Sequence, residues 1–591
     1  MSAAMVADLK NRLTELLRAA LANVAPDAQQ VSILLERPKQ SAHGDFATNV
    51  ALQLAKSLRL SPREVAGRIV AELPASPWIA KAEVAGAGFV NLFLTEAARQ
   101  QVVRSVLEKG RDYGRSREGG GRRMQVEFVS ANPTGPLHVG HGRGAAYGAS
   151  LATLLEFAGY QVTREFYIND AGRQMDILAV STWLRYLELH GVVVPFPPNA
   201  YQGDYVRDMA RQIRDAHGER YVRYGEAVLA GVPDLPDAGR DDADAARERE
   251  AHLDGLITNA KELLGDEYAY VHQHALSEQL ADCRDDLAEF GVHFDCWFSE
   301  KSLYDTGLVE RVVAKLEAAG RVYAQDGARW FRSTDFGDEK DRVVQRENGQ
   351  YTYFASDIAY HLNKYERGFE RMVDVWGADH HGYIPRVKGA VQALGLDADR
   401  LDVALVQFAV LYREGRKVSM STRAGQYVTL RELRKEVGDD AARFFYVLRK
   451  SDQHLDFDLD LAKSQSSDNP VYYVQYAHAR VCSVMKEWGG KPAALQQADL
   501  APLSSERELA LCARVLEFPV VVESAAADFA PHQVAFYLRD LAADFHTYYN
   551  AERFLVDDEG LRHARLALAC AVRTVLRNGL ALLGVSAPES M

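Results

Sequence analysis

Cysteine is scarce: this 591-residue chain has five, Cys283, Cys296, Cys482, Cys512 and Cys570, with no Cys-x-x-Cys pair among them. Such scatter excludes a disulfide framework and a thiolate zinc site, and it fits a reducing cytoplasm. Long apolar runs are missing too. No stretch reaches the roughly 18 apolar residues of a membrane helix. The opening Met-Ser-Ala-Ala-Met-Val-Ala-Asp-Leu-Lys10 lacks the basic-then-apolar order of a signal peptide. No membrane partner is expected. There is no surplus of positive charge either: 69 Lys and Arg against 82 Asp and Glu leave a formal net charge of −13. A globally basic nucleic-acid binder is excluded, but a local basic strip is not, because phosphate contacts need only a local field. An acidic total would also steer a cationic substrate. What remains is an ordinary soluble composition, 47% hydrophobic and 26% charged. The length suggests roughly three to four domains.

The chain is organised around residues 125–170. Gln125 to Ser130 reads as a strand and Ala131-Asn-Pro-Thr-Gly-Pro-Leu-His-Val-Gly-His141 as a turn. A helix follows, with Tyr147, Leu151, Leu154, Leu155 and Ala158 at spacings of three and four, closed by Gly159. A second strand, Gln161 to Ile168, ends at Asn169-Asp170. This is a βαβ unit, with a right-handed crossover expected. Gly140, Gly142 and Gly144 keep the helix start bare, so a ligand can approach the backbone. A helix N-terminus offers free N–H groups and partial positive charge, which suits phosphate. His138 and His141 could share one ligand there, donating to a phosphoryl group as charge builds on it. The alternative is that the glycines serve only tight packing and the histidines are ordinary surface residues; placement between strand and helix favours function.

The turn resembles the His-Ile-Gly-His signature of class I aminoacyl-tRNA synthetases, with Val139 in the isoleucine's place. The extended form, from Asn132 to Leu137 before it and Gly142-Arg143 after it, resembles the arginyl-tRNA synthetases in particular. The likeness runs from the N-terminal domain to Leu582-Leu-Gly-Val585. It implies a Rossmann-like catalytic domain with helical insertions, an N-terminal α+β domain and a C-terminal all-α anticodon-binding bundle. It also implies ATP with Mg2+, L-arginine and the arginine tRNA as substrates, without zinc, in a monomer. The reaction would be attack of arginine's carboxylate on the α-phosphate, then transfer to the 3′ end of the tRNA.

The expected domains follow in order. Residues 1–109 read as an α+β domain: helices at Val6–Val24, Asn49–Leu60 and Pro62–Leu73, then strands within Ile79–Leu94 turned by Gly86-Ala-Gly88. His43-Gly-Asp-Phe-Ala-Thr-Asn49 matches the family's tRNA-contacting motif, with a ligand-free helix-cap loop as the alternative. Gly110 to Arg123, with five arginines, reads as a solvated linker that could touch RNA phosphate. Residues 124–465 form the catalytic domain, with a helical, acidic insertion at about 191–275. Residues 466–591 form the bundle. Its Tyr472, Tyr473 and Tyr476 either stack on unpaired bases, as the resemblance implies, or fill a core.

Two further stretches complete the candidate site. Tyr351 to Ile358 reads as a strand ending near a carboxylate. Val373 to Gly382 is a strand carrying Gly377, Asp379, His380 and His381 at its C-terminal end, where doubly wound sheets bind ligands. A Gly-x-Asp there suits a ribose, and the His pair has no third partner to make a metal site. The resemblance implies an arginine pocket of Glu127, Ser130, Asn132, Tyr353 and Asp357, with Asp357 facing the guanidinium. For Glu127 an ion pair at a strand edge is the alternative. For ATP it implies Pro133, Gly135, His138, Gly140, His141, Gly377, Asp379 and His380, with Ser419, Met420 and Ser421 of the second signature. That second signature, Lys-Met-Ser-Lys-Ser, is matched only in part, since Ser419 and Thr422 occupy the lysine positions. Lys417 and Arg423, near Arg416, are the candidate substitutes, so the catalytic set is His138, His141, Lys417 and Arg423. Two rivals stand: a shorter nucleotidyltransferase with the same turn, and a non-catalytic tRNA-binding relative. ATP–pyrophosphate exchange separates all three.

Overall fold

A computed structural model describes residues 5–28, 31–36, 38, 43–237, 239–240, 242–418 and 427–591. The chain divides into two compact units: Gly119–Lys463, and Met1–Glu118 joined by Ser464–Met591.

The first unit is built on five parallel strands, in the order Leu401–Val406, Arg371–Gly377, Arg123–Glu127, Gln161–Ile168, Cys296–Ser299. The order reverses direction between Arg123–Glu127 and Arg371–Gly377, which opens a crevice at the C-terminal ends of those two strands. Met124, Val126, Phe166, Met372 and Val373 are buried, as strands covered on both faces require. The first crossover helix is Val139–Phe157, and Gly159 turns the chain out of it at φ +94°. The helix lies so close to the strand that a Cβ on Gly148 would sit 2.3 Å from the Phe128 ring.

The expected strand at 351–358 is instead the start of a helix, Tyr353–Glu366. The aromatic opening Tyr351-Thr-Tyr-Phe suits a strand, but buried Phe354, Ala355, Ile358, Ala359 and Leu362 continue with helical period beyond it. The insertion holds helices Asp204–His217, Gly225–Val228 and Ala243–Leu264, packed with Arg173–Leu189 around Trp183, Tyr186, Tyr221, Leu253 and Leu256.

In the second unit a three-stranded antiparallel sheet runs Phe46–Thr48, Phe89–Leu94, Ile79–Ala85. Within the 43–49 motif Phe46–Thr48 is an edge strand, and Asn49 is the N-cap of helix Val50–Leu58, so the motif does lead into a helix cap. Asp45 accepts from the Leu94 N–H at 2.8 Å and from the Arg99 guanidinium at 3.0 and 2.9 Å. Four long helices follow, Pro470–Trp488, Glu506–Ala527, His532–Ala551 and Glu559–Leu582.

The two ends of the chain are not separate bodies. Helix Glu96–Lys109 buries Ala98, Val102, Val103 and Val106, and packs on the C-terminal helices; Gln100 donates to the Leu503 carbonyl at 2.9 Å. The expected solvated linker is likewise part of this core at its start. Tyr113 is fully buried, and its hydroxyl donates to the Val515 carbonyl at 3.0 Å. An apolar tyrosine body between glycines and arginines was enough to draw the segment inward.

Candidate active site

Past Glu127 the chain leaves the sheet through two residues in the left-handed region, Val129 at φ +68° and Ser130 at φ +42°. A β-branched residue there costs on the order of 1–3 kcal/mol. The surroundings hold it: the Ser130 hydroxyl donates to Glu127 Oε1 at 2.9 Å and accepts from the Tyr167 N–H at 3.1 Å. The turn that follows is clamped from outside. Tyr205 donates to the Thr134 carbonyl at 2.7 Å, close beside Gly135. Leu430 N–H donates to Leu137 O and Val139 N–H to Val428 O. Behind the helix, fully buried Arg143 donates to the carbonyls of Gln407, Lys450 and Gln453, so it is a scaffold residue.

His138 caps the helix. Gly140 N–H donates to His138 Nδ1 at 3.1 Å, and His138 N–H donates to His141 Nδ1 at 3.3 Å. A backbone N–H can only donate, so both Nδ1 atoms accept and each neutral ring carries its proton on Nε2. The rings stack with centroids 3.7 Å apart. Burial lowers the pKa of His138, and burial together with His138 lowers that of His141 to about 3. The helix mouth therefore presents two neutral N–H donors. A Cβ at Gly140 would meet the His138 ring at 2.8 Å, and one at Gly142 would meet Tyr446, whereas Gly144 faces open space. Packing thus explains Gly142, and close approach explains Gly140.

The His141 shift has a consequence for stability. Between its ordinary 6.5 and about 3 the unfolded chain binds a proton that the folded chain refuses. Stability therefore falls as pH drops through that window. In His141→Asn this part of the acid limb should flatten. Melting temperatures between pH 7 and 4 check it, and an unaltered acid slope would place the imidazole in open solvent.

Beside the switch point lies an acidic pocket that sequence reasoning found only in part. Asp357, half-buried on helix Tyr353–Glu366, accepts a short hydrogen bond from the Tyr383 hydroxyl, and burial raises its pKa. Glu300, 2% exposed, follows directly on strand Cys296–Ser299. Its Oε1 accepts from the Ser356 hydroxyl at 2.8 Å; its Oε2 is buried and makes no hydrogen bond of full geometry, although the Tyr167 hydroxyl is close by. Burial, with Asp357 and Asp170 nearby, pushes Glu300 up to about 7. Asn169 Oδ1 is also buried and unpartnered, next to Gly172 and the Tyr353 hydroxyl. Tyr353 is 53% exposed and Asn132 is exposed. Acceptors that have lost water without gaining a full hydrogen bond await a cation. The one cue to Glu300 in the sequence was an acidic residue just past a short strand.

Glu127 lies near enough to Asp357 to add to burial in raising its pKa, and Ser130 holds the Tyr167 backbone, so both border this pocket. Lys364, fully buried, donates to Glu127 Oε2 and to Asp374 Oδ1, each at 2.6 Å. Glu127 is thus an ion-pair residue at the centre of the sheet, not at an edge, with Asp374 directly beside it on the neighbouring strand. The other candidates lie around the helix mouth. Asp379 Oδ1 would lie 2.4 Å from a Cβ on Gly377, and His380 Nε2 is 3.6 Å from Asp379 Oδ2. Pro133 is buried in the turn. Phe408, missed from the sequence, lies against both Gly140 and Gly377 and is 48% exposed.

Lys417 is exposed on a two-residue strand paired with Tyr412–Arg413. Gly415 forms the turn of that hairpin with Glu414, at φ +70° and +49°. Ser419, Met420, Ser421, Thr422, Arg423 and Gly425 lie outside the described residues. Thr429 opens the next helix with a capping box to Glu432.

In the bundle, Tyr472, Tyr473 and Tyr476 are half-buried on the shoulder of helix Pro470–Trp488, whose core face is Val471, Val474, Ala477 and Val481. Tyr472 stacks on Tyr476, and the Arg480 guanidinium lies 4.5 Å from the Tyr476 ring centre.

Three family models match the chain: an arginyl tRNA synthetase N-terminal domain over residues 11–94, the class I (R) tRNA synthetase catalytic domain over 102–189 and 265–457, and a DALR anticodon-binding domain over 474–591. The gap in the catalytic match falls on the helical insertion. An arginine–tRNA ligase of Azoarcus sp. (strain BH72) is 72% identical over 588 residues, covering 99% of this chain and all of its own. That of Dechloromonas aromatica is 67% identical over 587 residues, with the same coverage. The solved Thermus thermophilus arginyl-tRNA synthetase shares the fold, with TM-score 0.72 and 24% identity, over 98% of this chain and 100% of its own.

Proposed function

Because this chain belongs to the class I arginyl-tRNA synthetases, we propose that its acidic pocket receives the guanidinium of L-arginine and the adjoining helix mouth receives ATP. The chain is an arginine–tRNA ligase: it activates L-arginine with ATP to arginyl-adenylate and pyrophosphate, then transfers the arginyl group to the 3′ end of its tRNA.

The observation that carries the pocket is Glu300, a desolvated carboxyl beside Asp357 whose Oε2 makes no hydrogen bond of full geometry. A guanidinium is always charged and presents a planar fork of donors that two carboxylates can share. Asp357 and Glu300 are the guanidinium partners, Tyr353 shapes the rim, and Asn132 is left for the substrate's α-substituents. Glu127 and Ser130 brace the turn. Arginine's carboxylate oxygen attacks the α-phosphorus in line as the bond to pyrophosphate breaks. The Nε2–H groups of His138 and His141 meet the charge growing on the phosphoryl oxygens. Pro133, Gly135 and Gly140 keep the turn open to the backbone. Gly377, Asp379 and His380 are set to take the ribose, and Phe408 offers a flat face to the base. Lys417, with Arg423 and the segment Ser419-Met420-Ser421, is assigned to the departing pyrophosphate.

Among the described residues no group of three or more His, Cys, Asp or Glu side chains could hold a metal ion. Mg2+ would accompany ATP's own phosphates, and no step is routed through it. Tyr472, Tyr473 and Tyr476 with Arg480 are the proposed base-stacking shoulder of the anticodon domain. No helix among the described residues is long and apolar enough to cross a membrane. Dispersed free thiols support a cytoplasmic setting, and the monomer rests on the family likeness alone.

Arginine binding should release a proton from Glu300. A pocket carboxyl near 7 gives up its proton when a fixed cation arrives, so calorimetry near pH 6.5 in buffers of different ionisation enthalpy should read about half a proton or more. Glu300→Gln should abolish the release. Equal release from that variant, or none from the parent, would remove Glu300 from the pocket.

A further inference from the structure

The arginine-rich stretch after residue 109 is not absorbed by the chemistry above. The Asn578 amide donates to the Gly110 carbonyl at 2.9 Å and the Tyr113 carbonyl at 3.1 Å. Arg111, between those two anchors, is thereby carried onto helix Glu559–Leu582. On that helix Arg573 and Arg577 are one turn apart and share a face. Both are half-buried, while Arg111 is exposed. His478 and Cys482 of helix Pro470–Trp488 close the side. Cys482 lies close enough to Arg573 and Arg577 to feel their charges, and His478 Nδ1 is held 2.8 Å from the Pro588 carbonyl.

Other arginines of this unit meet carboxylates: Arg99 binds Asp45, Arg514 binds Asp544 and Arg565 binds Glu508. Among the described residues Arg111, Arg573 and Arg577 have no such pair. Glu589 is felt by His478 and Cys482 but pairs with none of the three. Arg577 Nε is buried without a hydrogen-bond partner. Burial, Arg111 and Arg573 together lower the Arg577 pKa. Three cations converging without an ion pair to an acid among the described residues, in a chain with net charge −13, is unfavourable until an anion joins them.

We propose that Arg111, Arg573 and Arg577 form a phosphate-binding site whose occupant is a backbone phosphodiester of the RNA substrate. This rests on the reading of the bundle as a tRNA-binding domain. The site is separate from the tyrosine shoulder: Tyr473 and Arg480 meet His546 of helix His532–Ala551, whereas His478 and Cys482 turn toward Glu559–Leu582. Tyrosines suit bases, whereas planar guanidinium forks without aromatic company suit phosphate oxygens.

The test uses the full chain and the arginine tRNA, with affinity followed by fluorescence anisotropy over a salt series. Arg573→Gln/Arg577→Gln should weaken binding about tenfold at low salt. It should also flatten the log–log salt slope by about 0.7–0.9 per lost contact, and Arg111→Gln by about one contact. Arg573→Lys/Arg577→Lys, which keeps the charge, should retain most of the slope and guards against a folding artefact. Inorganic phosphate and pyrophosphate are assayed in parallel by melting temperature. An unchanged slope with phosphate stabilising only the parent would make the site one for a free anion and overturn the RNA assignment. An unchanged slope with no phosphate effect would overturn the site itself. If the parent bound the tRNA without salt dependence, the tRNA reading of the bundle would fail first.

Discussion

Asp357→Asn and Glu300→Gln are each expected to raise KM for arginine by a factor of about thirty to several thousand, with kcat much less affected. Each change keeps the side chain's shape and removes a charge from a site that has lost its water. Truncating one partner of a buried charge pair costs roughly 2–5 kcal/mol, a factor of about thirty to several thousand. The guanidinium sits far from the reacting carboxylate, so most of the loss is binding shared by ground and transition states and falls on KM. Neutral analogues should lose their disadvantage in the same variants. Citrulline tests this directly: if either variant still rejected it as strongly as the parent enzyme does, recognition would lie elsewhere.

The second large effect lies at the helix mouth. His138→Ala or His141→Ala should lower the rate of adenylate formation by about two orders of magnitude, while arginine affinity stays near normal. One preorganised donor to a developing oxyanion is worth about 2.7–4 kcal/mol. The neutral state of both rings matters here. Their Nε2 protons are in place without any ionisation, so the rate should not rise on mild acidification. Single-turnover kinetics read the step, and near-normal turnover in both variants would take the histidines out of the chemistry.

Much of this was legible beforehand because the signals were local. The strand Gln161–Ile168 and the helix after His138 rest on period and glycine chemistry, and both are found. What escaped depends on partners distant in sequence. Nothing near Glu127 reveals that Lys364 will neutralise it, or that Asp374 will lie beside it on the next strand. Glu300 gains its meaning only when Ser356 and Asp357 arrive from a helix more than fifty residues later. That helix was itself misread, because its aromatic opening outweighed a period that becomes visible only past Ile358. Tyr113 was missed for the same reason: its environment is supplied by Phe518 and Val515.

The joining of the chain's two ends into one core sets a timetable for biosynthesis. Residues 1–118 leave the ribosome first, yet the helices that cover Val102, Val106 and Tyr113 belong to 464–591 and are made last. The whole of Gly119–Lys463 must be translated in between, which takes on the order of tens of seconds at roughly 5–20 residues per second. Throughout that interval an apolar helix face and a tyrosine stand uncovered, dependent on chaperones or on the nascent chain itself. A stop codon or ribosome stall late in the message would strand the beginning of the protein as well as shorten its end.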